Sequence, residues 1–217
     1  MVSTRALLLC SAGLCVVFAG GCSDRTTLAP SALASRTAGA SAAQNSGPEY
    51  EDVSNQGGPA AGIYAPGGAS LLRQTNGLQA SVSMPTPEPD SYRYPAGKVA
   101  GHPEVFTAWM FVFNNPELCT EPCDFDDLGV DKPAKGGVYN LGGHPASGNS
   151  LTISGRVAVG EPPAPHPVVT FAPLESPDTA EVHLAVAPHG ALDPASLPDE
   201  FRLPAGSLDF WWVAMFK

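Results

Sequence analysis

Glu181 and His183 are the pair of residues in this chain whose spacing best suits chemistry. Two positions apart on an extended strand, they project from one face with alpha carbons roughly 7 Å apart, so a carboxylate and an imidazole can close on one ion. His189 follows in Pro188-His189-Gly190, and His144 sits in another turn, Gly142-Gly143-His144-Pro145. Three imidazoles and one carboxylate suit zinc or copper if the four converge. Against that stands a plainer reading, in which a polar strand face and two surface turns carry unrelated histidines. Ser147 lies near His144, but a serine and a histidine in a Gly-Pro loop are turn residues before they are a nucleophile and its base. Asp124, Asp126 and Asp127 lack the glycine-punctuated loop of a calcium-binding hand and read as a capped, solvated turn. No G-x-S-x-G elbow, H-E-x-x-H helix, phosphate loop or G-x-G-x-x-G fingerprint is present.

The cysteines separate into three groups. Cys10 and Cys15 fall inside an apolar run, Cys22 ends it, and Cys119 and Cys123 remain as one pair. Met1 to Arg5 is a short basic start, Ala6 to Ala19 is apolar, and Ala19-Gly20-Gly21 places small residues before Cys22. The run falls short of the roughly 20 apolar residues a spanning helix needs. The layout is that of a lipoprotein signal over residues 1–21, with Cys22 as the lipidation site, although Ala19 stands where a lipobox usually carries a larger aliphatic residue. Acyl chains on Cys22 would hold the chain to a membrane, each buried methylene adding about 0.8 kcal/mol. Outside the cytoplasm Cys119 and Cys123 are expected to oxidise to a disulfide, closing a five-residue ring worth roughly 2 kcal/mol. The alternatives are a redox pair, which usually has the shorter C-x-x-C spacing, and a metal clip, which needs further ligands nearby.

The chain carries 21 acidic against 11 basic residues, a formal charge of −10. Removal of residues 1–21 takes away only Arg5 among charged residues, so −10 becomes −11. Such a domain offers no electrostatic footprint for nucleic acid and is repelled by anionic lipid surfaces. Residues 22–58 are rich in Ala, Ser, Thr, Gly and Asn without periodicity, which predicts a disordered tether; about 35 residues of random coil span on the order of 30 Å. Residues 59–217 are the size of one domain with its own core.

Within that domain the apolar period is two. Leu78, Ala80, Val82 and Met84 alternate with polar residues, as do Leu151, Ile153, Val157 and Val159, and Ala180, Val182, Leu184 and Val186. Val105 to Phe113 and Phe210 to Phe216 are apolar on both faces, which predicts central strands covered on both sides. Pro- and Gly-rich stretches, among them DKPAKGG, GGHPASGN and GEPPAPHP, read as breaks, and a short helical turn begins near Asp193-Pro194. The fold class is therefore all-β, an antiparallel β-sandwich or barrel of short strands behind a signal peptide and a tether.

The stretch WMFVFNNPELCTEPCDFDDL, with the later AEVHLAVAPHG, resembles a group of uncharacterised exported bacterial proteins. In that group an apolar strand runs into an FNNP-x-x-C-x-x-x-C-x-x-D-D-L loop, and a later A-E-V-H-L strand precedes an H-G turn. The likeness covers roughly Ala80 to Leu192 and departs after it; more loosely, the patterning is similar to CHRD domains. The resemblance implies a β-rich exported domain, with Cys119 and Cys123 as a unit and His144, His183 and His189 at motif positions. It implies no activity. Two function classes follow: a non-enzymatic envelope lipoprotein that either binds an unknown envelope protein or small ligand or serves a structural role, outer membrane favoured, or a zinc- or copper-binding domain using His144, Glu181, His183 and His189, with or without chemistry at the ion.

Overall fold

Alternating apolar residues form strands because one face of each can be buried while every backbone polar group pairs in a ladder. The computed structural model describes residues 47–56, 62–88, 102–120, 122–198, 201 and 211–217. Its strands are β1 (Glu49–Asn55), β2 (Gly62–Gln74), β3 (Gly77–Pro85), β4 (Glu104–Phe113), β5 (Gly136–Pro145), β6 (Ser150–Ala158), β7 (Glu181–Ala191) and β8 (Trp212–Phe216). They make one eight-stranded sheet in the order β5-β4-β7-β8-β1-β2-β3-β6, antiparallel at every pairing. The signal segment 1–21, Cys22 and the tether as far as residue 46 lie outside the described residues.

The two end strands of that order, β5 and β6, are consecutive in the chain and lie against each other. A Cβ on Gly155 of β6 would come within 2.9 Å of Leu141 Cδ2 and 3.1 Å of its Cα, so only glycine permits this approach. The sheet is thereby nearly closed into a barrel, and of the sandwich and barrel expected, the single sheet selects the barrel. Its interior is filled by Leu78, Val82, Phe106, Met110, Leu151 and Ile153, with Val182, Leu184, Trp212 and Phe216 behind them. Trp212 packs edge-on to Phe106, ring centroids 5.8 Å apart at 70°, a favoured geometry for two aromatic rings.

A second apolar layer explains why β4 is hydrophobic on both sides. Trp109, Phe113 and Val138, on the outer face of β4 and β5, pack against Cys123, Leu128, Ala134 and Phe171 from segments 114–135 and 160–175. Asn114 clasps these segments: its side-chain amide donates to Lys135 O at 2.7 Å and Pro173 O at 2.9 Å, and its oxygen accepts from Glu175 N at 2.8 Å. Tyr139 does the same from inside, its hydroxyl accepting from Leu174 N at 2.7 Å and donating to Glu161 O at 3.3 Å. Burial pushes the Tyr139 phenol up to about 12, against the Leu174 hydrogen bond and with help from the Glu161 charge.

Three expectations need correction. The tether does not extend to residue 58, because β1 occupies 49–55 and pairs with β2 and β8; it eluded the pattern because Val53 is its one fully buried large aliphatic side chain. β5 runs through stretches read as breaks, and β2 runs through Pro66-Gly67-Gly68. In β5 the glycines serve contact: a Cβ on Gly137 would strike the carbonyl oxygen of Ala172 in the covering segment. Val159 does not continue the inward row of β6, which ends at Ala158, and is 44% exposed. The helical turn near Asp193 is one turn of 3₁₀ helix over Pro194–Ser196, with the Asp193 carboxylate accepting from Ala195 N at 3.0 Å.

Candidate functional site

The alternation of β7 puts Val182, Leu184 and Val186 inside the barrel and Glu181, His183 and Ala185 outside. Across the ladder, His183 is flanked by Phe111 on β4 and Met215 on β8, and Ala185 by Trp109 and Val213. Ala185 is the small residue in this row. The hollow it leaves is part of a cleft of about 210 Å³, lined by Phe111, Phe113, His183, Ala185, Trp211 and Val213, with Asp124 and Phe125 of the disulfide loop at its lip.

His183 Nε2 meets Glu181 Oε1 at 2.7 Å, and each residue is 8% exposed. A buried carboxylate is tolerated when a hydrogen-bonding partner satisfies it, and here the imidazole is that partner. The His183 ring also lies 5.1 Å from that of Phe113, and the Phe111 and Trp211 rings are 5.8 Å apart. The pair is thus held rigidly against a wall of aromatic side chains.

The lip is built by the loop that follows β4. Cys119 and Cys123 form a disulfide. Directly after it, Phe125–Asp127 is a single 3₁₀ turn with a capping box: Asp124 Oδ1 accepts from Asp126 N at 2.8 Å, and Asp127 Oδ2 accepts from Asp124 N at 3.1 Å. Asp127 Oδ1 also accepts from Thr120 N at 3.1 Å, tying the turn back across the disulfide ring. Burial works to raise the Asp127 carboxyl, but the hydrogen bonds from Thr120 and Asp124 outweigh it and hold the group below its ordinary value. The three aspartates therefore form the capped turn expected of them. Phe125 stands out from it, 52% exposed, with His166 beside its ring at 6.2 Å.

The four residues proposed to share a metal are not brought together. Glu181 and His183 meet, but His144 pairs with Phe106, five residues along β4 from the Phe111 that faces His183. At roughly 3.4 Å per residue the two sites are about 17 Å apart along the strand, and they lie on opposite faces of the sheet. His144 Nδ1 instead contacts Pro145 O at 2.6 Å. His189 is the extra residue of a bulge between Pro188 and Gly190, at the same end of the sheet as His144. Among the described residues no group of three or more His, Cys, Asp or Glu side chains could hold a metal ion. Bond lengths near 2 Å cannot bridge such separations.

No family model matches this chain, and neither the curated proteins nor the solved structures hold a match to it. Its site must accordingly be judged on geometry. A larger concavity of about 400 Å³ lies at one end of the barrel, where Glu88 and Glu104 approach the turn that carries Asn149. Its walls are largely turn residues, Pro85, Thr86, Pro87, Gly148 and Asn149 among them. The smaller cleft is the better site because rigid rings wall it and a buried carboxylate–imidazole pair backs it. Sequence reasoning found Glu181 and His183 from their spacing. It missed Phe125, Ala185, Trp211 and Val213, which come from separate elements; the doubly apolar run of β8 was the available signal.

Proposed function

We propose that this chain is an exported lipoprotein, anchored in the bacterial cell envelope through an acylated Cys22, with the outer membrane the favoured destination. Its barrel is a non-enzymatic binding module, and the cleft between β4, β7, β8 and the disulfide loop is the binding site. The basic start, apolar run and small residues before Cys22 support the anchor, and the motif likeness to exported bacterial proteins supports the address. The observation that carries the binding reading is the outer face of β8. Trp211 and Val213 present an apolar surface there that, among the described residues, no segment covers as the outer layer covers β4, and Met215 beside them is 38% exposed. Uncovered apolar surface braced by rigid surroundings marks a place of recognition.

Catalysis is the weaker reading because, among the described residues, no hydroxyl or thiol nucleophile lines the cleft beside His183, and Cys123 is bound in the disulfide. The volume, below the roughly 300–1,000 Å³ of sites for drug-sized ligands, suits one ring or one branched alkyl group. Ligand-observed NMR of the full chain against small aromatic and branched-alkyl fragments tests this. Binding that disappears in Ala185→Leu, which fills the hollow, is the expected outcome; fragments that bind both proteins equally, or neither, would contradict it.

A further inference from the structure

We propose that the cleft receives a second copy of this chain, in a symmetric pair that seats Ile63 of each copy in the Ala185 hollow of the other. The inference rests on the binding-site reading and names the occupant. On the outer face of the sheet one lateral row crosses four strands: Ile63 of β2 pairs with Ser54 of β1, Ser54 with Val213 of β8, and Val213 with Ala185 of β7. One end of the row is a knob and the other a hole. Ile63 is a branched alkyl side chain left 64% exposed. Ala185 floors a space of about 210 Å³ walled by Phe111, Phe113, Trp211 and Val213. An alkyl knob suits that apolar lining because it brings no polar atom to desolvate.

Such a row is self-complementary. At about 4.8 Å per strand, Ile63 and Ala185 stand roughly 14 Å apart, so the isoleucine cannot fill the hollow of its own copy. A twofold axis lying along the strands between Ser54 and Val213 places each knob over the partner's hole, the isologous arrangement of a cyclic dimer. Only a serine and a valine lie between the two ends, so nothing bulky holds the copies apart. Charge favours the same face. The row carries no ionisable side chain in a chain of formal charge −10, so two copies meet there without opposing carboxylates. Two residues from Ser54, the exposed Asp52 carboxylate accepts from Gly67 N at 2.6 Å. A patch four strands wide and five residues tall covers about 300 Å² per copy, well under the roughly 800 Å² per partner of a stable complex. The pair is therefore a weak one that forms where copies are concentrated, and the proposed Cys22 anchor would concentrate them on a surface.

Oxidative cross-linking of the full chain in isolated membranes tests this. Ile63→Cys and Ala185→Cys together should give a covalent dimer on non-reducing gels, with loss of the monomer band, whereas either substitution alone should not. Positions roughly 14 Å apart cannot bridge within one copy, since a disulfide needs alpha carbons within about 7 Å. A double variant that stays monomeric, or a single variant that dimerises as readily, would overturn the proposal. Sedimentation velocity in an alkyl maltoside gives a second reading with no cysteine in the hollow. The unaltered chain should self-associate as its concentration rises, and Ile63→Asp, at an exposed position, should abolish this. Association that survives Ile63→Asp, or none in the unaltered chain, would contradict the pairing. The fragment titrations separate this inference from the reading beneath it. If fragments bind and Ala185→Leu removes them while no dimer forms, the cleft stands as a site for a free ligand or another protein and the second copy is withdrawn. If fragment binding and the dimer both fail, the site reading falls as well.

Discussion

Asp127 and Tyr139 show how single polar atoms hold the covering layer to the barrel. The Asp127 carboxylate accepts hydrogen bonds from Thr120 and Asp124, and its folded-state affinity for a proton is depressed. A depressed carboxyl stabilises the fold above its unfolded value, near 3.9, and that contribution is lost as pH falls through the lower folded value. Chemical denaturation across pH 2 to 5 should therefore show stability falling as pH falls, an acid limb that Asp127→Asn flattens. Tyr139 tests the inner side of the same layer. In Tyr139→Phe the buried Leu174 N–H loses its acceptor, which should cost about 1–3 kcal/mol in denaturant titrations without altering the strand content read by circular dichroism. Asp127 was legible as a turn former, whereas Tyr139 was not, because it falls between two glycine-rich stretches that read as breaks.

At the scale of elements, legibility followed the strictness of alternation. β3, β6 and β7 have clean inward rows and stood out, as did the doubly apolar β4 and β8. β2 contains Pro66, Gly67 and Gly68, and β5 contains four glycines, so their local chemistry signals turns while the long-range ladder overrides it. β1 has bulged register against β2 and few large apolar side chains, so its strand character comes from its neighbours. The loop after β4 is the element whose rigidity the site needs. Replacing Cys119 and Cys123 by alanine removes a five-residue ring and should lower stability by roughly 2 kcal/mol, measured by thermal unfolding. It should also weaken ligand binding through the freed Phe125 lip, so a variant with unchanged affinity would show that the loop does not shape the cleft.

At the scale of the whole molecule, the proposed address and tether and the barrel were each read from a different kind of signal. We propose residues 1–22 as the address from their order of charge, apolar run and small residues, and on that proposal Cys22→Ser is expected to move the protein from the membrane to the soluble fraction. The barrel's class followed from period-two patterning; its closure did not, since it depends on Gly155 accepting the close approach of Leu141. The cleft was hidden for a related reason. Glu181 and His183 are neighbours on one strand, whereas the rings around them arrive from β4, the residue ahead of β8 and the disulfide loop, and only the register unites them. Amide chemical-shift mapping of the isotope-labelled full chain during titration with small aromatic and branched-alkyl fragments tests the central claim most directly. Saturable shifts concentrated at Phe111, His183, Ala185 and Val213, with Asp124 and Phe125 at the lip, are the predicted result; shifts confined to the Glu88 and Glu104 end of the barrel, or none at all, would contradict it.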